Sequence, residues 1–192
     1  MTWCIYLTHP EVAIDPAVPV PDWGLSEIGR VRAQKAAELA FASGIGAVVS
    51  SGEKKAIETA AFFAAHRNIT PLVREDLHEN DRSATGFLPP AEFEAVADQF
   101  FAEPTISVRG WERAVDAQAR IVDGVRDVLS GIAPEMPVLF AGHGAAGTLL
   151  MCHLMGSAIS RSHDQKRGGS WYRFEKDWLM TQAADDLGWI EV

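Results

Sequence analysis

The chain has 192 residues, 47% hydrophobic and 22% charged, with a formal net charge of −9. That is enough chain for one domain with a sizeable core, and an acidic balance without a Lys/Arg cluster argues against nucleic acid or an anionic membrane surface as a partner. No stretch reaches the roughly 18–20 apolar residues of a membrane span and the start carries no basic leader, so the expected location is the cytoplasm.

Taken in chain order, the apolar run at residues 3–8 predicts the first strand. A loop with Pro16, Pro19 and Pro21 follows. Ser26 suits a helix N-cap, with Glu27 in the first turn. Ile28, Val31, Ala36, Leu39 and Ala40 then mark the face expected to be buried, and Gly44 closes the helix. Residues 46–50 predict a second strand, 52–66 a second helix and 70–74 a third strand. Residues 80–110 are less regular and read as an inserted lid rather than a linker. Within them Pro89-Pro90 starts a helix, Phe93, Val96 and Phe100 share a face, and Pro104 ends it. The next helix, 111–130, carries a stripe of Ala119, Val122, Val125 and Leu129. Strand 137–142 and an apolar helix at 145–155 come next. Residues 171–175 and 178–183 predict a closing hairpin across Lys176-Asp177. The alternation implies a single three-layer α/β/α domain around a mostly parallel sheet.

Two strands in this scheme end in histidine, His9 and His143. In open α/β sheets ligands bind beyond the carboxyl ends of the strands. Both imidazoles are therefore expected in one crevice, a constellation suited to phosphoryl chemistry. No histidine trio has metal-ligand spacing, and no metal or cofactor is expected. The cysteines, Cys4 and Cys152, lie in apolar segments and read as buried free thiols. Gly142-His143-Gly144-Ala145-Ala146-Gly147 also satisfies the dinucleotide fingerprint, with Glu175 as its acidic partner. It falls too late in the chain for a complete dinucleotide-binding half, and a histidine inside the turn would crowd a pyrophosphate.

Several segments, in order, resemble the histidine phosphatase superfamily, the phosphoglycerate mutase-like proteins. The family's Arg-His-Gly at the first strand end is matched by Thr8-His9-Pro10. Its Leu-Ser/Thr-x-x-Gly helix start is Leu25-Ser26-Glu27-Ile28-Gly29. Its Ser-Ser-x-x-x-Arg-Ala is Ser50-Ser51-Gly52-Glu53-Lys54-Lys55-Ala56. Leu77-His78-Glu79 matches Leu-x-Glu, and Gly142-His143-Gly144 matches Ser-His-Gly. A further segment, Gly110-Trp111-Glu112 with Asp116 and Arg120, resembles the helix before the last motif. The resemblance implies a phosphohistidine mechanism. His9 would be the nucleophile and Glu79 the proton donor and later base. A cationic His143, at a helix start with free N–H groups, would stabilise the transferring oxygens. Thr8, Lys55 and Gly144 fall at substrate-binding positions, and the implied partner is a small phosphorylated molecule. The oligomeric state stays open.

The departures are at the cations. The family's two arginines bind oxyanions bidentately, whereas Thr8 offers a neutral hydroxyl and Lys55 a point charge. Pro10 removes a backbone donor. Arg82, Arg113 and Lys54 are candidates to compensate. Phe87, Phe93, Phe100 and Trp111 are candidates to line an apolar lid. Two functions follow: hydrolysis of a small organic phosphomonoester, or a catalytically impaired relative that binds a ligand or partner. Mutase chemistry, which must hold a bisphosphate, asks for more cations than these motifs supply.

Overall fold

The computed structural model describes residues 2–192. Strands β1 (Trp3–Thr8), β2 (Ala47–Ser51), β3 (Leu72–Arg74), β4 (Val138–Gly142), β5 (Ser170–Glu175) and β6 (Ile190–Glu191) form one six-stranded sheet in the order β3-β2-β4-β1-β5-β6. The first four in this spatial order run parallel; β5 is antiparallel to β1, and β6 to β5. Register decides where the site falls. Thr8 lies opposite Gly142, and Ser50 opposite Ala141. The residues that follow, His9, His143 and Ser51, thus emerge side by side at the carboxyl edge.

Side-chain alternation divides the strands between two cores. Ile5, Leu7, Val48 and Leu139 face helices α1 (Glu27–Glu38) and α2 (Lys54–Arg67), where Ala36, Ala37, Ala60 and Phe63 meet them. Cys4, Tyr6, Val49 and Phe140 face α4 (Ala114–Ser130) and α5 (Gly144–Leu154), through Ile121, Val125, Leu150 and Met151. This is a three-layer α/β/α domain. A smaller cluster forms around α3 (Pro90–Ala102), with Val96, Phe100 and Phe101 against Leu88, Trp111 and Leu149. Both cysteines are buried and free.

The buried face of α1 differs from the expected one. Ile28, Val31 and Leu39 are exposed, whereas Gly29, Ala33, Ala36 and Ala37 are buried. Small residues let this helix approach its neighbours closely: a Cβ on Gly29 would stand 2.1 Å from the Glu11 carbonyl oxygen. Ser26 does cap the helix, accepting the Gly29 N–H, but α1 stops at Glu38, before Gly44. On α4 the inward stripe is Ala117, Ile121, Val125 and Val128, and Ala119 is exposed. The expected closing hairpin is absent. After β5 the chain makes a short helix, α6 (Trp178–Thr181), and β5 pairs instead with β6. Of the expected lid aromatics, Phe87 and Phe93 border one cavity, and Phe93, Phe100 and Trp111 border another, the last two almost wholly buried in the α3 cluster.

Candidate active site

His9 and His143 lie with ring centroids 5.4 Å apart and planes at 68°. His9 Nδ1 is 2.8 Å from the Pro10 carbonyl oxygen, so Nδ1 carries the proton and Nε2 keeps its lone pair. Burial lowers the His9 pKa from 6.5 to about 4, against the opposing pull of that hydrogen bond, and the ring is neutral at pH 7. The backbone on either side is tied down. His9 N–H donates to the Gly142 carbonyl and His9 C=O accepts from the Gly169 N–H.

His143 is fully buried. Tyr6 fixes its backbone, accepting the His143 N–H at 3.2 Å and donating to its carbonyl at 3.3 Å. Its Nε2 lies 2.8 Å from Ser51 Oγ and 3.6 Å from Glu53 Oε1, and its Nδ1 has no partner among the described residues. Burial pushes the His143 pKa well below 6.5, more than Glu53 raises it. Burial thus favours the neutral form of His143 over the cationic form that the resemblance implies. If Ser51 donates to Nε2, Nδ1–H is left as a neutral donor.

The start of α5 also departs from expectation. Its N–H groups are not free: Ala146 donates to Glu79 Oε1 at 2.9 Å and Ala145 to Oε2 at 3.2 Å. Glu79 thereby caps α5. Its pKa is raised, chiefly by burial and in spite of Arg82 and these amides. Arg120 holds the preceding loop through the carbonyls of Asp76 and His78, while Glu112 holds Arg120. That is the structural part played by the Trp111-to-Arg120 segment.

The polar groups of Thr8 and Lys55 are both engaged within the protein. The Thr8 hydroxyl is buried, donating to Gln165 Oε1 at 2.7 Å and accepting the N–H groups of Gly169 and Ser170 at 3.0 Å each. It ties the end of β1 to the 165–170 loop. The Lys55 ammonium is buried against Glu53 and the Val20 carbonyl. Gly144 does border the cavity over His9, where a Cβ would meet the Gln165 amide nitrogen at 2.6 Å. The other fingerprint glycines serve packing. A Cβ on Gly142 or Gly147 would strike the Tyr6 ring system at 2.3 or 2.4 Å.

The cavity over His9 has a volume of about 380 Å³ and shares Glu79, Asn80 and Arg82 with a second cavity of about 640 Å³. Among the candidate cations, Arg82 is the one in place. Its guanidinium lies 4.9 Å over the Phe93 ring and has no carboxylate partner among the described residues. Arg113 pairs with Asp116 in solvent, and Lys54 is exposed outside both cavities. Lys166 and Arg167, on the loop that Thr8 holds, also border the His9 cavity. Sequence patterning missed these two, as it missed Glu53, Gln165 and the buried Asn80, whose Nδ2 lacks a partner. Nothing in a single sequence marks a loop lysine or a helix-start glutamate as belonging to a site. Of the remaining histidines, His78 borders the larger cavity and His153 is bonded to the Leu179 carbonyl. Among the described residues no group of His, Cys, Asp or Glu is arranged to hold a metal ion, and no helix is long and apolar enough to cross a membrane.

Fold and site together define an α/β/α protein with paired histidines at adjacent strand ends. The chain belongs to the histidine phosphatase superfamily, branch 1, whose model matches residues 16–175. It is similar in fold to a mycobacterial glucosyl-3-phosphoglycerate phosphatase solved with inorganic phosphate (23% identity over 99% of this chain and 95% of that one, TM-score 0.77). It is also similar to Bacillus stearothermophilus YhfR (21%, 100% and 96%, TM-score 0.77). A third likeness is to Entamoeba histolytica phosphoserine phosphatase in complex with 3-phosphoglyceric acid (16%, 91% and 90%, TM-score 0.71). No curated protein matches the chain.

Proposed function

We propose that the protein is a phosphatase that hydrolyses a small organic phosphomonoester through a phosphohistidine. The observation that carries this reading is the state of His9: a neutral ring, its Nδ1 proton held by Pro10, its Nε2 free, bordering a cavity that also holds Glu79 and Arg82. Membership of the superfamily and likeness to phosphatases that bind phosphate or 3-phosphoglyceric acid support it.

His9 Nε2 attacks phosphorus, the P–N bond forms and the ester P–O bond breaks. Glu79, whose pKa burial raises, gives its proton to the leaving oxygen. The Glu79 carboxylate then takes a proton from water as that water attacks phosphorus, releasing phosphate and free His9. Arg82, with Lys166 at the rim, supplies the positive charge that the family places elsewhere. Neutral His143 serves as a hydrogen-bond donor rather than as a cation.

The test is a rapid quench of the protein with a ³²P-labelled phosphomonoester. An acid-labile, base-stable label is expected on His9, and it should vanish together with turnover in His9→Asn. Turnover that survives in His9→Asn rejects the assignment. A second reading, ligand binding without turnover, is favoured by one observation: Glu53 already neutralises Lys55. Binding of phosphomonoesters with no label in the wild type would select it.

A further inference from the structure

Glu53 stands at the N-cap position of α2, yet its side chain does not cap that helix. Its Oε2 takes the Lys55 ammonium instead. Its Oε1 accepts the Glu79 N–H at 2.9 Å and lies 3.6 Å from His143 Nε2. An ammonium and a backbone amide are groups that ordinarily hold an oxyanion. Here they hold a carboxylate that belongs to the protein. Burial favours the neutral acid, but the Lys55 charge and the bonds from Lys55 and the Glu79 N–H hold the Glu53 pKa below the ordinary carboxylate value, so the group is ionised at neutral pH. Its charge also acts on His9, together with those of Lys55 and Arg82. Glu53 borders the cavity of about 640 Å³, which leaves its side chain somewhere to turn.

We propose that Glu53 is the specificity-determining residue of this pocket: its carboxylate occupies the oxyanion subsite at Lys55, and a phosphoryl group reaches that subsite only by displacing it. This rests on the reading of the His9 pocket as a phosphoryl site. The consequence is selection by size. A bare oxyanion such as inorganic phosphate must compete with a tethered carboxylate and gains little else. An organic phosphate also gains contacts in the adjoining cavity that offset the displacement. Product release is correspondingly easy.

The probe is orthovanadate, titrated calorimetrically into wild type, Glu53→Gln and Glu53→Leu. Both variants should bind it at least about tenfold more tightly, the order expected for removing one like charge at side-chain distance. Their melting temperatures should drop without oxyanion, because Lys55 is left buried and unpaired, and vanadate should restore them. A merely structural glutamate would not raise oxyanion affinity when removed. A folded variant that binds vanadate no more tightly than wild type overturns the proposal. A measurement without substitution covers the case in which neither variant folds: a crystal structure of the wild type with vanadate. It should show Glu53 turned away from Lys55, and vanadate bound beside an intact Glu53–Lys55 pair overturns the proposal. The hydrolytic reading fails separately. Tighter vanadate binding in Glu53→Gln with no label on wild-type His9 keeps the subsite and removes hydrolysis. A labelled His9 with unchanged vanadate affinity does the reverse.

Discussion

Thr8→Val separates a structural hydroxyl from a ligand-binding one. The substitution keeps the branched shape and removes Oγ1, which accepts the Gly169 and Ser170 N–H groups and donates to Gln165. The Gly169 N–H keeps the His9 carbonyl as acceptor, so the Ser170 N–H is the buried donor left without one, a loss of about 1–3 kcal/mol. For a domain of this size each kcal/mol lowers the melting temperature by about 2–4 °C, giving a fall of about 2–12 °C. The loop concerned donates the Gly169 N–H to the His9 carbonyl and carries Lys166 and Arg167. Turnover should therefore fall along with stability, whereas vanadate affinity, measured below the new melting temperature, should change less than about threefold, the scale of a modest ~0.7 kcal/mol loss. Calorimetric melting and vanadate titration on the same samples provide the assay. A variant as stable as wild type that loses oxyanion affinity would place the Thr8 hydroxyl on the ligand and refute this reasoning.

Two other perturbations address the charges. The folded-state pKa of His9 lies below its ordinary 6.5, at about 4, so the fold resists protonating it. Stability is therefore full above about pH 6.5 and falls as pH drops toward 4, by up to ~3 kcal/mol from this group. Denaturation of His9→Asn across that window should show a flatter pH dependence than wild type; an equally steep one would deny that the ring is held neutral. Arg82→Gln should raise KM about tenfold or more with a smaller change in kcat, the size of one charge-assisted contact. An unchanged KM would remove Arg82 from the site.

The sheet was legible because its strands are continuous apolar runs that turn signals interrupt, and because His9 and His143 mark where two of them end. Helix faces were less legible. Hydropathy ranks Ile28 and Val31 above Ala33 and Ala37, but the close approach of α1 to α2 and to the Glu11 backbone admits only small side chains. The last strand was invisible in kind: β6 has two residues, too short to show alternation, so the apolar Trp178–Thr181 segment took its place in the expected hairpin. In the site, the motif positions led to both histidines and Glu79, which the fold brings around one edge. The electrostatics did not follow. Whether Lys55 faces a ligand or Glu53, and whether Arg82 or Arg113 lines the cavity, depends on contacts between residues far apart in the chain or on one side-chain rotation.

The bond between Glu79 and the first turn of α5 reaches beyond the carboxyl group itself. Two backbone amides accept no substitute for an oxygen lone pair, and a protonated carboxyl keeps only one oxygen that accepts well. Losing the proton therefore tightens the helix end, and gaining it lets one amide go. If Glu79 serves as the acid, its protonation and the bonding of the first turn of α5 are coupled, with both amides bonded when the carboxylate is ionised. His143, the residue before that turn, lies at the end of the same coupled unit.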